Sequence, residues 1–233
     1  MSERISIALI GAGRMGQIHG MTLARKCANV HIKYVVDVDL KFSQAAISKL
    51  GIPDAKPSID INEALQDPDV FAVVITTTAA GHRDAVLAAA AAGKHIFCEK
   101  PLATCLADTE KCVQEAKRAG VSLCVGFMRR FDPSFASAQR DIAVGKCGQL
   151  EQVAITSREL DFHNPPNYHL QSGGYFFDSV IHDFDYSTFL FGGQAPKWLF
   201  ATGRPFVPKY KDVNDVSSVT VLMEYESGAT CVI

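Results

Sequence analysis

The sequence predicts an α/β fold in which a doubly wound parallel sheet is followed by an α+β domain. Apolar runs alternate with helical patterns over residues 1–125, and the run at residues 70–76 is apolar on both faces, as in a parallel sheet covered by helices. This alternation stops at Gly126. We therefore predict two domains, at residues 1–125 and 126–233. The 48% hydrophobic content of the 233 residues is enough for a buried core.

Six apolar runs alternate with helical patterns in the first domain. The runs are residues 5–10, 31–36, a short step at 59–61, 70–76, 95–98 and 121–125, and the predicted helices are 14–26, 40–50, a brief one opened by Asp60, 80–92 and 106–119. Asp60 and Glu63 have the spacing of a capping box. Glycine follows three of the helices, where a chain often leaves a helix in a left-handed conformation.

The second domain has a different pattern. Asp132 and Pro133 predict the start of a helix as N-cap and first helical residue. The predicted helices are 133–144 and 175–191, and the predicted strands are 149–158, 197–204, 216–225 and 229 onward. Ser227-Gly228 predicts a turn between antiparallel strands. The last run stops at Ile233 inside a predicted strand, so we expect a largely antiparallel, open sheet that is incomplete at its C-terminus.

Composition excludes several classes of partner. The 23 Lys and Arg nearly balance the 25 Asp and Glu, and no segment concentrates basic residues among aromatic ones, so neither nucleic acid nor an anionic membrane is expected. The longest charge-free stretches, 70–81 and 85–93, are too short to span a membrane, and the first apolar run is too short for a signal peptide. The seven cysteines include no C-x-x-C pair, which indicates neither a disulfide framework nor a thiolate metal site. We expect a cytoplasmic protein with a small ligand.

A glycine-rich turn follows the first predicted strand. Gly11, Gly13 and Gly16 have the G-x-G-x-x-G spacing, with Arg14 and Met15 between the last two. In a dinucleotide site the first glycine permits a sharp turn, the second leaves room for the pyrophosphate, and the third lets the helix pack closely. The phosphates then lie on the unpaired N–H groups at the helix start. Taken alone the pattern is weak, because glycines are common in loops.

Asp37 strengthens this prediction. It ends the second long strand about 20 residues beyond Gly16, where a carboxylate can accept hydrogen bonds from both ribose hydroxyls. Its charge would repel the 2′-phosphate of NADP, so the sequence favours NAD. The alternative is a solvated residue that closes the strand.

Polar residues also follow the next two strands, at the edge where doubly wound sheets bind their ligands. Thr76 and Thr77 could line the ribose side of the cofactor, and His82, at a helix start, could reach the same face. The alternative is that the threonines cap the helix. Glu99-Lys100 follows the fifth run, where burial and a cationic nicotinamide would disfavour the charged form of the lysine. There its amine could hydrogen-bond a substrate hydroxyl as that hydroxyl loses its proton. The alternative is a solvated ion pair.

Asp178 and His182 are candidates for proton transfer. They lie four residues apart on a predicted helix and so share one face, where the aspartate can orient the imidazole and stabilise its protonated form. The alternative is a hydrogen bond satisfied within a core. Asp183 and Asp185 are near in sequence but point to other faces, so no metal site is expected.

These motifs, in this order and spacing, resemble the glucose–fructose oxidoreductase/inositol dehydrogenase family. They are Gly11-Ala-Gly-Arg-Met-Gly16, Cys98-Glu-Lys-Pro101, Val125-Gly-Phe-Met-Arg-Arg-Phe-Asp132, and the stretch from Ser172-Gly-Gly to His182-Asp-Phe-Asp185. Within the family the chain is most similar to inositol 2-dehydrogenases. The resemblance implies a Rossmann domain that binds NAD, followed by an α+β domain that contributes to substrate binding and whose open sheet often forms an oligomer interface. It therefore implies a homo-oligomer, as a dimer or a tetramer.

The resemblance also implies roles for particular residues. Lys100, Asp178 and His182 would be catalytic and would contact the substrate, with Lys100 and its neighbour Glu99 also near the cofactor. Arg129 would lie near the substrate, and Tyr168 would be a further substrate contact.

The implied reaction is NAD-dependent oxidation of a secondary hydroxyl of an inositol-like polyol to a ketone. Inositol enzymes usually have Asp-Pro where this chain has Glu159-Leu160, which leaves a sugar or a dihydrodiol as alternative substrates. A non-catalytic, dinucleotide-binding paralogue is a further alternative.

Overall fold

The structure is a computed structural model that describes residues 4–158 and 171–233. The chain divides into two units, Met1–Gly126 and Phe127–Ile233. Within the described residues, each unit contains one sheet. No helix in this described part has the length and apolar character needed to cross a membrane.

The first unit alternates strands with helices. Its strands are β1 (Ile5–Ile10), β2 (Val30–Val36), β3 (Lys56–Ser58), β4 (Val70–Ile75), β5 (His95–Cys98) and β6 (Leu123–Val125). Its helices are α1 (Arg14–Lys26), α2 (Leu40–Leu50), α3 (Ile61–Leu65), α4 (Ala79–Ala91) and α5 (Leu106–Arg118). All strand pairs are parallel, in the order β3-β2-β1-β4-β5-β6. This is the strand order of a doubly wound dinucleotide-binding sheet, and the predicted fold class is confirmed.

Buried side chains cover both faces of the parallel sheet. Alternate residues of β1 belong to two separate cores, with Ala8 and Ile10 on one face and Ile7 and Leu9 on the other. None of these four residues is more than 5% exposed. The same alternation runs through β4, as its apolar sequence predicts. The carboxyl ends of the strands are therefore held rigidly from both sides.

The third strand lies earlier in the chain than the predicted step at 59–61. Asp60 instead caps α3, accepting the backbone N–H of Asn62 at 2.9 Å. The other half of the predicted capping box is replaced by an ion pair, since the carboxylate of Glu63 lies 2.6 Å from the ammonium of Lys56. A residue that caps a helix cannot also extend a strand, so β3 ends at Ser58.

The second unit is α+β, as predicted. It contains a 3₁₀ helix (Met128–Phe131), α6 (Pro133–Ala143), β7 (Gln152–Ala154), a π-helical turn (Phe176–Val180) that runs into α7 (Ile181–Leu190), β8 (Trp198–Arg204), α8 (Pro208–Lys211), β9 (Ser218–Glu224) and β10 (Thr230–Val232). The order of the sheet is β7-β10-β9-β8. Strand β9 is antiparallel to both of its neighbours, whereas β7 pairs in parallel with β10. The 3₁₀ helix and α8 were not expected from the sequence.

Local sequence signals position two features of this unit correctly. The carboxylate of Asp132 accepts the N–H of Ser134 at 2.9 Å and that of Phe135 at 3.3 Å, which caps α6 as predicted. The predicted turn between β9 and β10 contains Gly228 in a left-handed conformation, with φ at 82°. The core of the unit lies on one face of its sheet, where the rings of Phe191 and Tyr225 stack with centroids 3.7 Å apart.

Candidate active site

The glycine turn between β1 and α1 has the shape that a pyrophosphate requires. A Cβ added to Gly11 would lie 2.7 Å from the backbone of Thr76, and one added to Gly16 would lie 2.0 Å from the carbonyl oxygen of Gly11. Neither position accepts a side chain. No described atom lies within 4 Å of a Cβ added to Gly13, so the backbone there is open. A tight turn, a closely packed helix and one open backbone position together fit a bound dinucleotide.

Asp37 lies directly against this turn. Its Oδ2 accepts the backbone N–H of Ala12 at 2.7 Å, while Oδ1 is 3.4 Å from the N–H of Asp39. The side chain is half-buried and follows β2, at the carboxyl edge of the parallel sheet. The Asp37 carboxylate is therefore close to the glycine turn, as a ribose-binding role requires.

The hydroxyl of Thr76 contacts the backbone of the glycine turn. It lies 2.8 Å from the carbonyl oxygen of Gly11 and 3.1 Å from that of Ile10, and the residue is buried. The hydroxyl of Thr77 donates to the carbonyl of Thr78 at 3.2 Å. These contacts favour a supporting role for the Thr76 hydroxyl over the direct ribose contact expected from the sequence.

His82 is a buried residue of α4, with 1% of its surface exposed. Its Nδ1 donates to the carbonyl oxygen of Pro101 at 2.6 Å, and its Nε2 lies 3.1 Å from the carbonyl oxygen of Thr77. Both ring nitrogens thus contact the backbone. His82 therefore links the loops after β4 and β5, and its expected contact with the cofactor stays a prediction.

The Glu99-Lys100-Pro101 segment follows β5. One carboxylate oxygen of Glu99 lies 2.6 Å from Nε2 of His19 on α1, and the other accepts the backbone N–H of Lys100 at 3.1 Å. Burial of the Glu99 carboxyl opposes its ionisation, but the hydrogen bonds from His19 and from the Lys100 N–H outweigh burial and lower its pKa. Glu99 is therefore not the solvated side chain of a simple surface pair.

His19 is the residue of this network that the sequence did not single out. A signal was present, because His19 lies three residues beyond Gly16 on the face of α1 that faces the parallel sheet, where its ring packs edge-on against Phe97 with centroids 5.0 Å apart. A polar residue on the sheet-facing side of a helix needs a partner, and Glu99 supplies it.

In the second unit, Asp178 and His182 lie on one continuous helical segment. Asp178 belongs to the π-helical turn and His182 to the first turn of α7. The backbone N–H of Asp178 donates to the carbonyl of Gly174 at 2.9 Å, and the ring of His182 lies edge-on to that of Phe127 at 6.4 Å. Single π-helical turns occur frequently at functional sites. The turn also changes the angular spacing that a regular helix would give these two side chains.

Two arginines of the 3₁₀ helix bind aspartates that follow His182 on α7. Arg129 donates to the buried carboxylate of Asp183 and, at 3.1 Å, to Ser157. Arg130 forms a two-pronged ion pair with Asp185, at 2.6 and 2.9 Å, and these hydrogen bonds raise the pKa of Arg130.

These partners bear on the expectation that Arg129 lies near the substrate. Its guanidinium already bonds Asp183 and Ser157, which favours a role in holding α7. Tyr168, the other expected substrate contact, lies outside the described residues. Among residues 4–158 and 171–233, no three His, Cys, Asp or Glu side chains are grouped as a metal site would require.

Two family models match the chain. One, described as an oxidoreductase family with an NAD-binding Rossmann fold (GFO/IDH/MocA), matches residues 5–127, and a GFO/IDH/MocA C-terminal domain matches residues 135–233. The chain is 37% identical over 230 residues to a myo-inositol 2-dehydrogenase of Thermotoga maritima, a match that covers 97% of this chain and 67% of the relative.

Solved structures give the same result. A myo-inositol dehydrogenase from Corynebacterium glutamicum superposes with a TM-score of 0.88 at 29% identity, covering 99% of this chain and 67% of the other. A scyllo-inositol dehydrogenase from Lactobacillus casei, with bound NAD(H) and scyllo-inositol, superposes with a TM-score of 0.82 at 25% identity, covering 99% and 68%. The chain thus spans about two thirds of the length of these relatives.

Proposed function

This chain belongs to the GFO/IDH/MocA oxidoreductase family, and from that premise we propose that it oxidises a secondary hydroxyl of an inositol-like polyol to a ketone with NAD. Its first unit is the NAD-binding Rossmann domain of the family. The observation that carries the proposal is the glycine turn with its open Gly13 and with Asp37 bonded to Ala12, since this geometry fits the cofactor.

The residues of the first unit bind NAD in this proposal. The backbone around Gly13 and the start of α1 hold the pyrophosphate, with Arg14 and Met15 as the first two residues of that helix. Asp37 accepts hydrogen bonds from the adenosine ribose and disfavours a 2′-phosphate by charge repulsion. When bound, NAD accepts the hydride that leaves the carbinol carbon of the substrate.

Three side chains act on the proton of the substrate hydroxyl and on the negative charge that develops on its oxygen. His182 accepts the proton of the substrate hydroxyl, and Asp178 stabilises the imidazolium that results. Lys100 stabilises the developing alkoxide oxygen through its ammonium group. These assignments rest on the family resemblance and on the position of Lys100 at the carboxyl end of the parallel sheet, where such folds bind ligands.

The proposed substrate class rests on the relatives, several of which are inositol 2-dehydrogenases. A panel of myo-inositol, scyllo-inositol, hexoses and dihydrodiols, assayed by NADH absorbance, tests it. We expect the inositols to be oxidised fastest. Faster oxidation of a hexose or a dihydrodiol would identify the alternative substrate. NAD binding without turnover of any of them would support a non-catalytic paralogue.

We also propose that the chain forms a homo-oligomer through the sheet of its second unit. Strand β8 lies at the edge of that sheet and exposes large apolar side chains, with Trp198 at 42%, Leu199 at 55% and Phe200 at 63%. Adjacent exposed apolar residues on an edge strand are typical of a surface that another chain covers. The proposed occupant is a second copy of this chain.

A further inference from the structure

Histidine rings hold the segment around Lys100 from both sides. His19 on α1 bonds the side chain of Glu99 at 2.6 Å, and His82 on α4 bonds the carbonyl of Pro101 at 2.6 Å. Lys100 lies between these two anchored residues. We propose that His19 is a positioning residue, which acts through Glu99 to hold the backbone of Lys100 for the reaction, an inference that rests on the proposed function.

The backbone hydrogen bonds of the parallel sheet extend to Glu99, one residue before Lys100. The backbone N–H of Glu99 still donates to the carbonyl of Ile75 at 2.9 Å, and the N–H of Gly126 donates to the carbonyl of Cys98 at 2.8 Å. The N–H of Lys100 bonds instead to the carboxylate of Glu99, at 3.1 Å. The side chain of Glu99 therefore holds the backbone of Lys100, one residue beyond these sheet hydrogen bonds.

The position of that carboxylate depends on His19. Rotation of the Glu99 side chain would break its bond to the Lys100 N–H, and the 2.6 Å hydrogen bond to Nε2 of His19 opposes this rotation. Gly126 limits the space on another side, because a Cβ there would lie 3.1 Å from the carboxyl group. A lowered pKa keeps Glu99 charged and so strengthens both hydrogen bonds that it accepts.

The ring of His19 is itself well anchored. It packs edge-on against Phe97 of β5, and its side chain is 26% exposed, whereas that of Glu99 is 12% exposed. A partly exposed ring can be replaced with little loss of core packing. His19 is thus a better test of positioning than the buried His82, whose replacement would disturb the core.

The test compares His19→Leu, which removes the hydrogen bond, with His19→Gln, whose amide can still donate to Glu99. His31→Gln is the matched control, since His31 is on β2, near the amino edge of the parallel sheet. Steady-state kinetics give kcat and KM for the polyol, and fluorescence titration gives the Kd for NADH. Hydrogen exchange by NMR measures the protection of the Lys100 amide without cofactor or substrate.

We expect His19→Leu to lower kcat about tenfold and to speed exchange of the Lys100 amide about tenfold, with the Kd for NADH within about twofold. His19→Gln should restore both values to within about threefold of the original protein, and His31→Gln should change neither. If His19→Leu does not fold, His19→Asn, whose shorter amide does not reach Glu99, replaces it.

An unchanged exchange rate of the Lys100 amide in His19→Leu, or in the His19→Asn variant that replaces it, would overturn the inference. A rise in the Kd for NADH without faster exchange would also overturn it, and would make His19 a cofactor contact. If the original protein oxidises no polyol, the proposed function fails, but the exchange rates still decide whether His19 holds Lys100.

Discussion

Single residues of the glycine turn differ sharply in what they tolerate. At Gly16 an added Cβ would meet the carbonyl oxygen of Gly11 at 2.0 Å, whereas at Gly13 it would meet no described atom within 4 Å. Gly13 also has φ at −68°, which any residue can adopt. Gly16 is thus needed for the fold, whereas Gly13 is needed for the space that the cofactor occupies.

This contrast gives a first prediction. Gly16→Ala should lower the free energy of unfolding by about 1–3 kcal/mol, since α1 must move away from β1. Gly13→Ala should change it by less than about 0.5 kcal/mol, yet raise the Kd for NADH about tenfold or more, because the methyl group takes the space of the pyrophosphate. Urea unfolding and fluorescence titration measure the two quantities. Equal destabilisation by both variants would contradict the role assigned to Gly13.

A second prediction concerns the charge of Asp37. Asp37→Asn keeps an oxygen that can accept the N–H of Ala12 but removes the negative charge. The ratio of the Kd for NADPH to the Kd for NADH should therefore fall about tenfold or more, because repulsion of the 2′-phosphate is lost. Asp39→Asn, two residues along, is the control. An unchanged ratio in Asp37→Asn would remove this residue from the account of cofactor choice.

At the scale of elements, α7 is fixed to the 3₁₀ helix by two ion pairs. Asp183 and Asp185 are on α7, one and three residues beyond the candidate base His182, and each binds one of the consecutive arginines Arg129 and Arg130. The aspartates are almost fully buried, so each carboxylate needs its arginine. These pairs therefore fix the helix that carries His182.

A third prediction follows for Arg130, whose side chain is 38% exposed while that of Asp185 is 7% exposed. Arg130→Ala leaves a buried carboxylate without its partner and should cost about 1–2 kcal/mol of unfolding free energy, an effect reduced by solvent around the arginine. Lys146→Ala, which breaks an exposed pair with Asp141, should cost less than about 0.5 kcal/mol. Urea unfolding of both variants provides the comparison, and equal effects would argue against a stabilising role for the Arg130–Asp185 pair.

Sequence reasoning located the elements that local signals specify. Glycine spacing, the N-cap Asp132 and the doubly apolar β4 follow from the chemistry of neighbouring residues, and the structure contains all three features. Contacts between residues distant in sequence were not predictable in this way. The partner of His19 is 80 residues away at Glu99, and no periodicity indicates it.

The same limit applies to two residues for which the sequence predicts a ligand contact. His82 has the spacing of a cofactor contact at a helix start, but Pro101 and Thr77 bring backbone carbonyls to both of its ring nitrogens. Arg129 belongs to a recognisable motif, yet its guanidinium bonds Asp183, 54 residues further along. The π-helical turn before α7 was also unpredictable, because a regular helical pattern gives no sign of one inserted residue.

At the scale of the whole molecule, the chain carries matches to both family domains and spans about two thirds of the length of its relatives. The surface of β8 is the feature that bears on assembly. Its exposed apolar side chains would be unfavourable in a monomer, and a second copy of the chain would bury them.

A fourth prediction tests this assembly. Light scattering should show a dimer or a tetramer for the original chain and a smaller species for Phe200→Glu, since a charge on the contact face opposes association. Phe42→Glu, at a similarly exposed residue of the first unit, should leave the oligomer intact. A monomeric original chain would contradict the proposed interface.

The central claim is that this chain uses NAD to oxidise a polyol hydroxyl with the help of Lys100. The most direct test follows NADH absorbance when the purified chain is mixed with NAD and myo-inositol, with the Lys100→Met variant measured in parallel. The account predicts NADH formation by the original chain, at least about a 100-fold lower kcat in the variant, and a Kd for NADH that the substitution changes by less than about threefold. Equal rates of NADH formation by the two proteins would contradict it.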